Sequence, residues 1–520
     1  MGTGKNLDQY VLVNGAIEPT GPPEQKNLLA RRWWLFLLLG LFLAGWFTYT
    51  RLRESRRQRC RPVLGAWEGV MAGGEKEMLR LHIGLAGLKL QAGARYYRDG
   101  AEFPPIAVSD VVYKQGRLRF RMDVPVTMHY LGRVADDGAG IEGRMIFADG
   151  GSQPLRLRPI AGDYLQARPD ASSPLYHVPE DVPGDWPVAS CSEEGLDRAR
   201  IEDMVRAIIK GRYGTIHSVL VVRRGRLVVE EYFFGHHRGQ LHHLYSITKS
   251  VTSLLVGMAM DRLYLSGVDQ RVIDLFPAYR ARMAEEWGSS MHVARDWQDV
   301  RLKHLLTMTS GISWSRGAIH ELLSSTDPME VVFSRPVAIT PGKMFRYNDA
   351  DMQAVAGIIK QATGLYADDF AREYLFGPLG ITHFSWTHMD GNPHPHCHGT
   401  LCLTPRDMAK IGQLVLDRGT WQGRRLLSAN WLQESAKPRE RVAKGLDYYG
   451  YLWWLEVHTR ADGPNRVLQQ ARGVGSQFIV LCQDQEIVVV ITGNNFTRET
   501  HFLQPLDMID TYILPQADGD

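Results

Sequence analysis

The chain has 520 residues, a formal charge of +3, and 44% apolar against 22% charged residues. That length exceeds one ordinary core, and its basic and acidic residues are interspersed, so an extended nucleic-acid-binding face is excluded. The five cysteines (Cys60, Cys191, Cys397, Cys402 and Cys482) lack CxxC spacing, which argues against a disulfide framework or a thiolate zinc site.

Residues 1–32 read as a polar tail. Residues 33–50, WWLFLLLGLFLAGWFTYT, are uncharged, and at about 1.5 Å per residue they are just long enough to span a thin or tilted hydrocarbon core as a transmembrane helix. Trp33, Trp34, Trp46 and Tyr49 sit near its ends, as interfacial aromatics do. A cleavable signal peptide is the competing reading; the polar tail before the run and the lack of a small-x-small site after it favour an uncleaved anchor. Lys26, Arg31 and Arg32 flank one end, and the basic segment 51–61, with Arg51, Arg53, Arg56, Arg57 and Arg59, flanks the other. Taken alone, that collar would keep the C-terminal part in the cytoplasm.

Between residues 62 and 168 the pattern becomes one of short alternating runs, LRLHIGL, LKLQAG, LRFRMDV, IEGRMIF and PLRLRPI, separated by turn residues. This period predicts a small all-β barrel or sandwich. Its opening, GAWEG, resembles the Gly-x-Trp start of lipocalin-like barrels. Such a domain either cups a ligand or is a packed accessory unit whose Trp67 plugs one end, and the second reading is preferred. A Pro-rich linker, 169–187, leads to a mixed α/β unit over 188–516. There LDRARIEDMVRAIIKG is amphipathic at helical spacing, HSVLVVRRGRLVVEEYFFG gives two strands joined at Arg224-Gly225, and a closing helix starts near Leu503.

The chemistry centres on YSITKSVTSLL. Ser246 and Lys249 are three residues apart at the front of an apolar helix, so they share a face and the amine can reach the hydroxyl. A serine hydroxyl is a weak nucleophile until its proton is removed. Burial and the positive end of the helix disfavour an ammonium, which predicts a neutral Lys249 amine as base. The same helix start aims backbone N–H groups at a developing oxyanion. The bland alternative is an N-cap serine followed by a solvent-facing lysine.

The blocks HSVLVVRRGRLVVEEYFFG, LYSITKSVTSLLVGMAMD, VRLKHLLTMTSGISW, PGKMFRYNDADMQAVAGIIKQATG, LFGPLGI and LTPRDMAKIGQLVLDRGTWQGRRLLSANW run in order from about Asp185 to Gln516. In that order they resemble the serine β-lactamase and penicillin-binding superfamily, in its branch of 6-aminohexanoate-dimer hydrolases and family VIII-type esterases. The resemblance implies an α/β (α+β) β-lactamase/transpeptidase-like domain. It makes Ser246 the acylated nucleophile, Lys249 its proton acceptor, and Tyr347, in FRYND, the relay to the leaving group. The third residue of the family's Tyr-x-Asn motif is here Asp349, a carboxylate where an amide would meet substrate. The third motif falls on Ala471-Arg472-Gly473, with Gly473 and Val474 as candidate oxyanion or substrate contacts and no lysine. Arg472 could pair with a substrate carboxylate or be a surface arginine. HPHCHG places His394, His396 and His398 at period two, read as a polar pocket rim rather than a metal site.

No cofactor is implied, and the oligomeric state stays open. The expectation is a membrane-anchored serine hydrolase that forms an acyl-enzyme from a small ester or amide. The alternatives are D-alanyl-D-alanine carboxypeptidase/endopeptidase or weak β-lactamase activity, or a catalytically weak binding protein with a lipid-holding barrel. Members of the superfamily mostly act outside the cytoplasm, so a bacterial inner-membrane anchor with a periplasmic catalytic domain is the expected location.

Overall fold

The computed structural model describes residues 10–13, 16–19 and, with short interruptions of which the longest is 286–296, residues 48–514. Most of the expected membrane span, 33–47, lies outside the described residues. The basic segment continues as a helix over 48–60, and no described helix is long and apolar enough to cross a membrane.

Eight antiparallel strands follow: β1 (Gly65–Val70), β2 (Glu77–Ala86), β3 (Lys89–Arg98), β4 (Ile106–Lys114), β5 (Arg117–Asp123), β6 (Thr127–Val134), β7 (Ile141–Phe147) and β8 (Ser152–Ile160). Each pairs with the next, and β8 returns to β1, so the sheet closes into a barrel and leaves no long edge unpaired. Alternation fills the interior: Leu79, Leu81 and Ile83 point in, as do Leu118, Phe120 and Met122. Phe120 stacks on Tyr130 with centroids 4.8 Å apart, and the Tyr130 hydroxyl donates to the Ile141 and Leu155 carbonyls. Trp67 is buried and its indole donates to the Val63 carbonyl at 2.9 Å, in the short turn Arg61–Val63 that leads into the barrel. The interior is thus a packed core that includes the Trp67 indole.

The second unit is built on an antiparallel sheet. β9 (Ile216–Arg223) and β10 (Arg226–Tyr232) form the hairpin turning at Arg224-Gly225, both at positive φ, as a tight hairpin turn requires. β9 then pairs with β15 (Ile487–Gly493), and the order continues through β14 (Gln477–Cys482), β13 (Arg466–Gly473), β12 (Trp454–His458) and β11 (Asp447–Tyr449). β9 and β15 are buried along their whole length because both faces are covered. Leu220, Val222, Val488 and Val490 enter one core; Val219, Val221, Val489 and Ile491 enter the other. The second core takes α1 (Arg198–Ile209) and the C-terminal segment Pro505–Ile513.

The first core holds the helices that build the site: α2 (Ile247–Asp261), α3 (Asp349–Thr363) and α4 (Pro405–Leu416). α2 is buried on every side from Ile247 to Ala259, as suits a central helix without a polar face. Its hydroxyls are satisfied internally: Ser250 donates to the Leu452 carbonyl at 2.6 Å and Ser253 to the Tyr451 carbonyl at 2.8 Å. Gly257 admits the Trp431 indole, since a Cβ there would lie 2.2 Å from it. These contacts fix the position and rotation of α2, and therefore of the residues at its mouth.

The barrel touches this unit directly. Glu102, in the short strand Ala101–Glu102 after β3, pairs in parallel with His242, and Arg95 of β3 approaches the His236 ring at 3.4 Å.

Candidate active site

Ser246 caps α2 in helical backbone geometry, yet its side chain makes no capping bond. Instead its Oγ accepts a hydrogen bond from Lys249 Nζ at 3.1 Å. Tyr245 just before it holds φ +48, an unusual value for a large residue, so the chain turns sharply to present Ser246 half-buried at the helix mouth. Lys249 is 2% exposed, which removes the solvent-facing alternative.

Three elements converge on the amine. Lys249 Nζ lies 3.1 Å from Asp349 Oδ1, donates to the His398 carbonyl at 2.5 Å, and sits 5.0 Å from the centre of the Tyr347 ring. Asp349 is the first residue of α3, where the helix dipole favours a negative charge, and Asn348 caps that helix by accepting from the Asp351 amide at 2.8 Å. Tyr347 is 40% exposed at the rim, against Tyr449 and Trp454.

The electrostatics correct the expectation of a neutral amine. Burial lowers the lysine pKa, but Tyr347 and Asp349 together outweigh it and hold Lys249 above the ordinary lysine value. Asp349 is raised by burial, yet the ammonium beside it brings the net shift down. The resting pair is therefore an ion pair. Behind it, desolvation keeps the His398 imidazole neutral, with its pKa down to about 3, and pushes the fully buried Asp351 well above the carboxylate range.

The third motif divides. Gly473 ends β13 with no room for a side chain: a Cβ would lie 2.2 Å from the Leu244 carbonyl, two residues before Ser246. Val474 follows and is 46% exposed, on the turn into β14. Arg472 is neither a surface arginine nor an open anion receptor. It is 6% exposed, forked onto Asp447 by two 3.0 Å bonds, joined to Glu456 at 3.2 Å, and laid over the Trp454 ring. Two carboxylates already take up its charge, and both come from neighbouring strands.

Sequence reading missed the aromatic wall of Tyr449 and Trp454, for which the run YYGYLWW was the available signal. It placed HPHCHG at the rim, and the His398 carbonyl proves to hold the Lys249 amine itself. Those three histidines do not gather around a common point. Among the described residues, the one grouping of metal-ligating side chains is His217, His236 and His242.

A serine and a buried lysine one turn apart on a central helix, with a tyrosine at the rim, on an antiparallel sheet flanked by helices, define the class of serine acyl hydrolases. The profile of the Beta-lactamase family matches residues 201–512, more than half of the chain, and the chain belongs to that family of serine hydrolases. It is 24% identical over 221 residues to the 6-aminohexanoate-dimer hydrolase of Paenarthrobacter ureafaciens, a match that covers 42% of this chain and 56% of that one. The chain thus spans little more than half the length of that relative. In fold it is similar to EstCE1, a hydrolase with promiscuous acyltransferase activity (TM-score 0.50, 15% identity, 62% of this chain and 100% of that one). A protein of Bacteroides dorei DSM 17855, provisionally assigned as a β-lactamase, matches equally (TM-score 0.50, 18% identity, 62% and 99%).

Proposed function

We propose that this protein is a membrane-anchored serine hydrolase that cleaves a small carboxylic ester or amide through an acyl-enzyme on Ser246. The observation that carries this reading is the 3.1 Å contact between Lys249 Nζ and Ser246 Oγ at the mouth of a fully buried helix. When Lys249 is neutral it takes the serine proton as Oγ attacks the carbonyl carbon. Lys249 returns that proton through Tyr347 to the departing alcohol or amine as its bond to the carbonyl carbon breaks; water then attacks the acyl carbon, gives one proton to Lys249, and Lys249 passes it to Ser246 Oγ as the acid leaves. The backbone N–H of Ser246, with that of Val474, is assigned to the oxyanion. The sequence relation to a 6-aminohexanoate-dimer hydrolase supports this reading, and the fold is shared with a hydrolase of promiscuous acyltransferase activity. Residues 33–50 are assigned as the anchor of a bacterial inner-membrane protein, with the catalytic unit on the periplasmic side.

A fluorophosphonate probe tests the assignment directly. Intact-mass analysis should show one adduct per chain on Ser246, and Ser246→Ala should remove both the adduct and turnover of p-nitrophenyl butyrate. Full turnover by the purified variant would refute it.

Gly473 gives a second expectation. In Gly473→Ala the new methyl collides with the Leu244 carbonyl, and backbone must move next to Ser246. Misplacement near 1 Å at a reacting group costs on the order of 10²-fold. The kcat/KM should fall by about that factor, whereas a variant of unchanged kcat/KM would separate this glycine from the site.

A further inference from the structure

Three histidines outside the serine site meet where the catalytic unit faces the barrel. His217 is in β9, His236 is in the loop after β10, and His242 is in the two-residue strand His242–His243 that leads to Ser246. Each is more than nine-tenths buried. Their candidate ligand nitrogens all lie within 4.8 Å of one another. Irregular backbone turns them together. The register of β9 against β15 shifts between Ile216 and Ser218, so His217 is the bulged residue, a device that re-aims a side chain. Phe234 and Gly235, both at positive φ, make the turn that delivers His236. The parallel pairing with Glu102 and the antiparallel pairing with Leu403 fix His242.

A void of about 10 Å³ adjoins this cluster, lined by His217 and His242 together with Gln477, Asn494 and Phe496. That is close to the space of a single small atom or water. We propose that His217, His236 and His242 bind one divalent transition-metal ion of the zinc class, with water from this void as a further ligand. Imidazole suits such ions, and three nitrogens with one water complete a tetrahedron. With Zn–N bonds of about 2.0–2.1 Å, the nitrogens would stand about 3.3 Å apart. Reaching that spacing requires side-chain rotation: His217 and His236 now stack with centroids 3.6 Å apart, and their in-plane lone pairs must turn to converge. The long 3.4 Å contact from Arg95 to His236 Nε2 gives way in the same movement. The ion would tie a central strand, a loop and the segment before Ser246 into one body, beside the seam with the barrel. Its role is structural, since the serine chemistry needs no metal.

The test uses the full chain, purified, stripped with chelator and titrated with cobalt(II) and zinc. One equivalent of cobalt should produce visible tetrahedral ligand-field absorption, and zinc should raise Tm, in wild type and Ser246→Ala alike. His217→Ala, His236→Ala and His242→Ala should each weaken binding by more than the roughly 10–100-fold lost with an outer-shell partner. Anomalous scattering at the zinc edge from crystals of the unmodified protein locates the ion even where a variant misfolds. Folded wild-type protein that shows neither cobalt absorption nor a zinc-dependent Tm overturns the proposal. So does an ion found at His394, His396 and His398 instead.

Discussion

Lys249→Met should lower kcat/KM for an activated ester by about 10³-fold, within the 10²–10⁴ range that positioned proton transfer contributes. Methionine is chosen because Lys249 is 2% exposed inside α2, and an unbranched side chain of similar volume limits the packing change. The variant keeps the helix, the oxyanion donors and Ser246 Oγ, and loses the amine 3.1 Å away. Fluorophosphonate labelling of Ser246 should slow in parallel, because the probe also needs an activated oxygen. Thermal unfolding separates a chemical loss from a folding loss: an unchanged Tm with retained kcat/KM would show that another group takes the serine proton.

How much of this could be read in the chain depends on how local each interaction is. Ser246 and Lys249 are neighbours because a helix brings residues three apart together, so one segment sufficed. The barrel strands were visible as alternation, whereas closure by β8 on β1 depends on stagger and twist that alternation does not encode. Tyr347 stood out through resemblance alone, since no spacing rule links it to a serine about a hundred residues earlier. Asp349 was visible as a departure from the family motif, but its partner was not: the ion pair exists because α3 packs beside α2. Arg472 was misjudged for the same reason, as Asp447 and Glu456 reach it from separate strands. The histidines show how little motif spacing alone decides. HPHCHG has chelating spacing and does not converge, while His217, His236 and His242 share no motif and meet through a bulge and a turn.

Asp349→Asn should shift the pH dependence of kcat/KM toward acid. In the wild type, Tyr347 and the Asp349 carboxylate together overcome the desolvation of Lys249, and its pKa stands above the ordinary lysine value. The neutral amine is then a small fraction at pH 7, so kcat/KM should rise about tenfold per pH unit through the neutral and mildly alkaline range. Asparagine restores the amide of the family motif and removes the charge 3.1 Å from Nζ, leaving the unfavourable desolvation of the ammonium less opposed. The lysine pKa must fall, and each unit corresponds to 1.36 kcal/mol, or tenfold more neutral amine at a fixed pH below it. With the pKa lowered, kcat/KM at pH 7 should be several-fold higher and the alkaline plateau should be reached at lower pH. Asn348 rather than residue 349 caps α3, so the helix start should survive. Unchanged pH profiles for the two proteins would mean that the carboxylate does not control the amine. A fall in kcat/KM at every pH would mean that Asp349 itself carries the proton away from Lys249, making the base a lysine–aspartate pair.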